Sequence, residues 1–372
     1  MKILILNWRD MEHPEAGGAE VHFAEIFSRL ANNGHAVTLL TTRFKGCEDD
    51  TVYRGIEVLR RGNNFVFNWE APSIIKKLLK TGRSYDCIID DVNKLPFFSN
   101  RRFPSIPCGV FFHHLFGKTV FGLTNPPMAL YVYLMEKLCG RGYRKIECCA
   151  VSPSTAEELV KIGFDESKLT VIENGIDTGR YCIDKTVKRE DDLLIYVGRL
   201  KKYKRVDNIF EAMSILEKKG RKLRLAVVGT GDDLPRLKKR ARELGVDGRV
   251  DFAGFVNEDE KIKLLRKAAI FVNPSEKEGW GITNIEAAAC GTPVVANNAP
   301  GLRDSVVNNE TGLLYNENDV QSLVYSLQKL LDDGGLRKNF AACGRRWAEK
   351  FSWDASAQKV EQWLQKIVKH GK

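Results

Sequence analysis

Short apolar runs alternate with amphipathic segments along the first half of the chain. The run at residues 1–7 predicts a buried first strand rather than a signal peptide, because no long apolar region or cleavage site follows it. Apolar positions in residues 19–34 recur at helical spacing and end at a typical C-cap, Asn33-Gly34. Further strands are predicted at residues 35–42, 85–91, 107–114 and 146–152. This alternation indicates a parallel sheet with helices on both faces.

The same rhythm restarts after a polar, turn-rich stretch at residues 176–190, which we interpret as a linker between two domains. The first domain is predicted over residues 1–175, the second over residues 191–350, and a closing helix over residues 351–372. Strands of the second domain are predicted at residues 192–199, 223–231, 249–255, 268–275 and 292–298. The fold class is therefore α/β, with two Rossmann-like domains of similar size.

Composition agrees with a globular protein that is large enough for two cores. The chain has 372 residues, of which 43% are hydrophobic and 28% charged. Its nine cysteines include no C-x-x-C pair, so we expect free thiols in a reducing, cytoplasmic compartment. The net charge of +10 suits anionic small molecules, an anionic membrane surface or nucleic acid, and composition does not choose among them.

Two acids flank a glycine-rich turn where a helix is predicted to begin. Gly279 and Gly281 permit a tight turn, and the unpaired N–H groups of the helix start can hold a phosphate. The carboxylate of Glu286 suits the two donating hydroxyls of a ribose, and Glu278 could accept hydroxyls of a sugar. The alternative is that both acids only favour the start of a helix.

A basic loop follows the first strand of the second domain. Arg199 comes directly after the strand and Lys204 lies five positions further on. Two cations that face a helix N-terminus would form a pyrophosphate site, whereas a solvated basic loop is the alternative. No D-x-D sequence is present to supply the usual metal ligands, so we expect a metal-independent site without a cofactor.

In this order and spacing the motifs resemble those of the retaining glycosyltransferase family 4. That family has the GT-B architecture, in which two Rossmann-like, doubly wound parallel-sheet domains face an interdomain cleft. The resemblance covers essentially the whole chain. It is carried by Gly17-Gly18-Ala19-Glu20, the turn at residues 174–177, Gly198-Arg199 with Lys204, the E-x7-E block from Glu278 to Glu286, and Gly301 and Gly312.

The resemblance implies that the second domain binds a nucleotide sugar, UDP- or GDP-linked. Arg199 and Lys204, beside Gly198, would neutralise the donor's diphosphate, Glu286 would hold its ribose, and Glu278 would lie against the transferred sugar. The N–H groups that would face the phosphate and sugar belong to Gly281, Ile282 and Thr283.

For the first domain the resemblance implies that it binds the acceptor and also borders the donor through Gly17 and Gly18. His113 would touch the donor sugar near its reacting carbon, but the doublet leaves open whether His113 or His114 does so. The helix at residues 351–372 would cross back to this domain.

The implied function is transfer of a hexose or N-acetylhexosamine, with retention, to a hydroxyl acceptor such as a saccharide, a glycolipid or a polyprenyl-linked glycan. Residues 62–83 and 129–145 are basic and amphipathic, which suggests peripheral attachment to the cytoplasmic membrane face; core-facing helices with solvated basic faces are the alternative.

Other functions remain open at this point. They are a nucleotide-sugar epimerase or phosphorylase of the same fold, and a non-catalytic nucleotide-sugar binding protein. A dehydrogenase is disfavoured because residues 229–234 lack the full G-x-G-x-x-G fingerprint. No nucleic-acid partner is expected, since no zinc spacing or RNP motif accompanies the positive charge.

Overall fold

The chain forms two α/β units, each with its own sheet and core. The computed structural model describes residues 1–93 and 95–370. The first unit comprises Met1–Gly175 and the C-terminal segment that starts at Trp353, and the second comprises Ile176–Ser352. The last two positions of the helix predicted at residues 351–372 lie outside the described residues.

The first unit alternates strands and helices as the apolar pattern predicts. Its strands are continuous apolar runs because helices cover both faces of the sheet. In chain order the elements are β1 (Lys2–Leu6), α1 (Gly18–Asn32), β2 (Ala36–Thr41), β3 (Asp50–Tyr53), β4 (Ile56–Arg60), α2 (Phe67–Lys80), β5 (Cys87–Val92), α3 (Ser99–Arg102), β6 (Cys108–Phe112), α4 (Pro126–Gly142), β7 (Glu147–Ala150), α5 (Pro153–Lys161) and β8 (Leu169–Val171).

The first sheet has the strand order β3-β4-β2-β1-β5-β6-β7-β8. Only β3 runs antiparallel, and the sequence pattern did not predict the hairpin that it forms with β4. Its turn is Arg54-Gly55, with φ of 46° and 84°, which is the two-residue turn that suits the twist of a hairpin. The order reverses at β1, which pairs with β2 on one side and β5 on the other.

The second unit repeats the architecture with a shorter sheet. In chain order its elements are β9 (Glu190–Val197), α6 (Val206–Lys218), β10 (Arg224–Val228), α7 (Leu234–Glu243), β11 (Val250–Gly254), α8 (Glu258–Lys267), β12 (Ala268–Asn273), α9 (Ile282–Ala289), β13 (Val294–Asn297), α10 (Leu302–Ser305), β14 (Gly312–Tyr315), α11 (Val320–Asp332) and α12 (Gly334–Ala348). The strand order is β11-β10-β9-β12-β13-β14, and it reverses at β9.

Within the stretch predicted as a linker, residues 176–189 form no helix or strand, and β9 begins at Glu190. The stretch is nevertheless fastened to the second unit. The Arg345 guanidinium donates hydrogen bonds to the carbonyls of Tyr181 at 2.6 Å and Thr178 at 3.2 Å. Arg266 Nε donates to the carbonyl of Cys182 at 2.8 Å. These arginines satisfy backbone carbonyls that have no partner in a regular element.

A final helix, α13 (Trp353–His370), packs within the first unit. Trp363 and Ile367 are buried against β6 at Gly109, where a Cβ atom would lie 2.4 Å from Ile367 Cδ1. Ser356 Oγ donates to the carbonyl of Glu173 at 2.7 Å. In the described part of the chain, no helix has both the length and the apolar character that crossing a bilayer requires.

Replacement of Trp363 by alanine is expected to lower the free energy of unfolding by about 3–5 kcal/mol, because it leaves a cavity between α13 and β6. Guanidinium unfolding followed by circular dichroism measures the change. Gln362→Ala, an exposed position on the same helix, is the matched control and should leave the midpoint unchanged. Equal midpoints for Trp363→Ala and the parent chain would contradict this packing.

Candidate active site

In each sheet, the polar residues of the candidate site lie in the loops at the point where the strand order reverses. In the second sheet the loops after β9 and β12 hold Arg199 and Glu278. In the first sheet the loop after β1 holds Gly17, β5 ends near Asp91, and His113 follows β6. Parallel sheets bind ligands at this position because the loops on either side of the reversal diverge.

The loop after β9 presents Arg199 to solvent. Gly198 N–H donates to the carbonyl of Val228 at 2.9 Å, and Leu200 N–H donates to the carbonyl of Thr230 at 2.8 Å. The Arg199 side chain itself is exposed, and its guanidinium has no hydrogen-bond or ion-pair partner among the described residues. The backbone is therefore fixed while the cation stays available to a ligand.

Lys204 is buried, and its ammonium forms an ion pair with Glu278. Burial opposes the charged form, but the Glu278 carboxylate outweighs it and raises the pKa of Lys204. A second ion pair joins Arg205 Nε to Glu276 Oε1 at 2.8 Å, and Glu276 N–H donates to the carbonyl of Tyr203 at 2.9 Å. The loops after β9 and β12 are thus held together, a direct pairing that the sequence analysis did not predict.

The turn before α9 leaves backbone donors open. Gly281 has φ of 74°, and a Cβ atom there would lie 2.8 Å from Ser305 Oγ. The N–H groups of Gly281, Ile282 and Thr283 donate to no acceptor in the part of the chain that the structure describes. Together with the helix dipole, these groups form a site suited to an anion.

A buried polar network supports this turn from beneath. Asn273 Nδ2 donates to Asn284 Oδ1 at 3.0 Å, and Asn284 Nδ2 donates to Ser305 Oγ at 2.9 Å. Gly301 lies so close to the turn that a Cβ atom would be 2.3 Å from the Glu278 carbonyl. The sequence analysis missed the three polar residues, although Asn273 ending an apolar strand was a visible signal.

Glu286 is buried on α9 and faces Lys261 of α8. Lys261 Nζ lies 3.2 Å from Glu286 Oε1 and 3.1 Å from Oε2, and 3.1 Å from Glu258 Oε2. Burial raises the pKa of Glu286, and Lys261 acts against that rise. The sequence analysis missed Lys261, because α8 is rich in charged residues and nothing in the pattern distinguishes it from a solvated lysine.

In the first unit, Glu20 organises the start of α1. Glu20 Oε2 accepts a hydrogen bond from Gly17 N–H at 2.7 Å, and Oε1 accepts one from Asn93 Nδ2 at 2.9 Å. Burial raises the pKa of Glu20. A Cβ atom on Gly18 would meet nothing within 4 Å, so the space beside it is open. The Gly17–Glu20 motif therefore fixes a helix start and leaves room next to it.

His113 is buried and forms a close pair with Asp91 at the end of β5. His113 Nε2 lies 2.6 Å from Asp91 Oδ1, and Asp91 Oδ2 accepts from Asn7 Nδ2 at 2.7 Å. In a neutral imidazole with Asp91 as acceptor, the proton lies on Nε2 and Nδ1 carries the lone pair. His114 is half-buried and its ring contacts Phe116 instead. Asp91 is a further residue that the sequence analysis did not single out.

The four carboxylates of these sites, on Glu20, Asp91, Glu278 and Glu286, thus have cationic, amide or imidazole partners. Among residues 1–93 and 95–370, no group of three or more His, Cys, Asp or Glu side chains is arranged so that it could hold a metal ion.

Two family models match the chain. The model described as Glycosyltransferase Family 4 matches residues 16–180, and the model described as Glycosyl transferases group 1 matches residues 183–347. The chain is also similar to an uncharacterised glycosyltransferase, MJ1607, of Methanocaldococcus jannaschii. The identity is 27% over an alignment of 394 positions, which covers 97% of each protein.

Solved structures share the architecture. Sucrose-phosphate synthase from Thermosynechococcus elongatus has a TM-score of 0.83 at 20% identity, over 98% of both chains. Anabaena HepE, solved in complex with UDP and glucose, has a TM-score of 0.77 at 18% identity, over 98% of this chain and 100% of its own. With both family models matched along the chain, we conclude that the protein belongs to the group 1 glycosyltransferases and is an enzyme of the GT-B fold.

Proposed function

We propose that this enzyme transfers a hexose or N-acetylhexosamine from a UDP- or GDP-linked sugar to a hydroxyl acceptor, with retention of anomeric configuration and without a metal ion. The observation that carries the proposal is the combination of the free Arg199 guanidinium with the open N–H groups of Ile282 and Thr283. The bound UDP and glucose of the HepE structure support a nucleotide-sugar donor.

Departure of the nucleoside diphosphate is the demanding step, because negative charge develops on the leaving phosphate oxygen. Donors that are already oriented toward that oxygen stabilise it without reorganisation. Arg199, Lys204 and the start of α9 are such donors. Since Glu278 balances the charge of Lys204, the exposed guanidinium of Arg199 supplies the excess positive charge of the site.

Glu278 has a second role in this proposal. Its carboxylate already accepts from Lys204, and an ionised carboxylate retains further lone pairs for hydroxyl groups of the transferred sugar. Glu286 holds the ribose by the same chemistry. Gly17, Gly18 and Gly198 carry no side chain that could obstruct the donor.

In the first unit we assign the sugar contact to His113 rather than His114. Asp91 fixes the orientation of the His113 ring, and Nδ1 remains to accept a hydrogen bond from the sugar. The ring of His114 packs against Phe116.

Retention is assigned to attack by the acceptor on the same face from which the diphosphate leaves. The bond from the anomeric carbon to the phosphate oxygen breaks, and the bond to the acceptor oxygen forms. The acceptor proton passes to the departing phosphate oxygen. The carboxylates of Glu278 and Glu286 then act by binding, and no covalent sugar–enzyme intermediate forms.

The acceptor is proposed to be a glycolipid or a polyprenyl-linked glycan at an anionic membrane surface. Leu130, Leu134 and Leu138 of α4 are each about half exposed and lie four positions apart, so they share one side of the helix. The acid of α4, Glu136, is buried, whereas Lys137 and Arg141 are exposed. An apolar stripe beside uncompensated basic side chains is complementary to anionic lipid.

The alternatives differ in what they release. An epimerase or a phosphorylase of this fold would not release a nucleoside diphosphate in an acceptor-dependent way, and a binding protein would not release it at all. The free cation and helix start favour transfer, because both act on the leaving group.

Arg199→Ala and Lys204→Ala are each expected to lower kcat by roughly 10²–10³, the usual loss when one oriented donor to a developing anion is removed. Thermal-shift screening against UDP- and GDP-linked sugars first identifies the donor, and acceptor-dependent release of the nucleoside diphosphate gives the rate.

Exposed Lys202 of the same loop provides the matched control, and Lys202→Ala should retain full turnover. The Arg199 guanidinium has no partner in the described chain, so a fall in the turnover of Arg199→Ala cannot be attributed to a broken ion pair. Undiminished turnover in the Arg199→Ala/Lys204→Ala double variant would refute the proposed roles.

Removal of divalent metal is expected to leave the rate unchanged, because the cationic side chains neutralise the diphosphate. The rate is measured after dialysis against EDTA and again after addition of Mg²⁺ or Mn²⁺. Complete inhibition by EDTA that Mn²⁺ reverses would overturn metal independence.

The protein is expected to sediment with vesicles that contain phosphatidylglycerol and to be released by salt, because screening weakens attraction to anionic lipid. Leu134→Glu/Leu138→Glu should abolish sedimentation, whereas Val160→Glu, an exposed apolar position on α5, should not. Absence of salt-sensitive binding to such vesicles by the parent chain would count against membrane attachment.

A further inference from the structure

Glu286 lies in a setting that works against its proposed task. The residue is only 7% exposed, and burial raises the pKa of its carboxyl. A protonated carboxyl donates one hydrogen bond and loses acceptor capacity, so it accepts the two hydroxyls of a ribose more weakly than a carboxylate does. A neighbouring group that keeps Glu286 ionised therefore favours binding of the nucleotide.

Lys261 is the cation that meets this requirement. In the described chain Lys261 forms an ion pair with Glu286, and its Nζ lies 3.1 Å and 3.2 Å from the two carboxylate oxygens. The Lys261 side chain is held in place from two further directions, by Glu258 Oε2 at 3.1 Å and by the ring of Tyr181, whose centroid lies 5.2 Å from Nζ. The ammonium is therefore anchored rather than free to swing into solvent.

The carboxylate also has unused capacity. Glu286 Oε2 is buried and receives no well-aligned hydrogen bond from the described residues, although Lys261 Nζ is near it. A buried acceptor without an aligned donor is costly unless a ligand or water completes it. A ribose hydroxyl supplies the missing donor.

We propose that Lys261 is a positioning residue that keeps Glu286 ionised and holds its carboxylate ready to accept the vicinal hydroxyls of the donor's ribose. The inference rests on the proposed nucleotide-sugar donor and extends it to a residue outside the E-x7-E block. Lys261 acts through Glu286 and need not touch the nucleotide.

Three neighbouring groups determine the pH dependence of Glu286. Lys261 favours the ionised form and Glu258 opposes it by like charge. The third group, the Tyr181 hydroxyl, donates its proton to Glu258. If Lys261 is removed, burial and Glu258 act without its opposition and the pKa of Glu286 rises further. Nucleotide affinity in the variant should then fall as the pH is lowered through neutrality and recover as the pH is raised.

Isothermal titration calorimetry of the full chain with UDP and with GDP tests this inference. For whichever nucleotide binds, Lys261→Met should weaken affinity roughly fivefold or more at about pH 6.5, and by less than about twofold near pH 9, where the carboxyl is ionised with or without the lysine. Lys261→Arg should retain affinity, and Glu286→Gln should lose it at every pH. Inorganic pyrophosphate lacks ribose, so its affinity should be the same for Lys261→Met and the parent chain.

Lys263→Met is the matched control, because Lys263 is an exposed lysine two positions further along α8 whose partner is Glu260 at 3.6 Å. A loss of nucleotide affinity in Lys261→Met that is independent of pH, or an equal loss of pyrophosphate affinity, would overturn the positioning role. Normal nucleotide binding by Lys261→Met at about pH 6.5 would overturn this inference alone. Failure of the parent chain to bind either nucleotide or pyrophosphate would overturn the proposed function as well.

Discussion

The ion pair between Lys204 and Glu278 is the contact on which the second unit's site depends. It joins residues that lie 74 positions apart, at the ends of two neighbouring strands. A buried ammonium needs a countercharge, and without one its desolvation would displace the loop or remove the proton. The pair therefore fixes the loop after β9 against the loop after β12. Because Arg199 lies in the first loop and α9 begins at the end of the second, both are held in the same site.

Charge balance at this site determines which groups would act on the departing diphosphate in the proposed function. The Lys204 charge is already compensated, and the excess comes from exposed Arg199 and from backbone N–H groups. Such donors interact more strongly with a phosphate oxygen as its negative charge grows, so they favour the departing group over the bound donor. The buried Asn273–Asn284–Ser305 network keeps the backbone donors oriented.

Sequence pattern predicted what depends on local periodicity. The apolar runs of β1, β5, β9 and β12 and the positions of Arg199, Glu278 and Glu286 at strand ends or a helix start follow from the chain itself. The hairpin of β3 and β4 escaped prediction because β3 is a short edge strand without a buried face. Its signal was the Arg54-Gly55 turn, which requires two positive φ values.

Partnerships made by tertiary packing could not be predicted. Lys261 and Glu286 are 25 positions apart on different helices. Asp91 of β5 and His113, which directly follows β6, are 22 positions apart. The apolar and polar pattern of each helix or strand would be the same if these side chains were in solvent. The neighbouring sequence therefore does not reveal the contact. The same holds for Lys204 and Glu278, whose charges the sequence shows but whose pairing only the fold creates.

The most direct measurement is a crystal structure of the chain with bound UDP or GDP, whichever it binds. The account predicts that the diphosphate oxygens lie within hydrogen-bond distance of the Arg199 guanidinium, the Lys204 ammonium and the N–H groups of Ile282 and Thr283. Density for the nucleotide at another place, or a diphosphate held by a metal ion away from these groups, would contradict it.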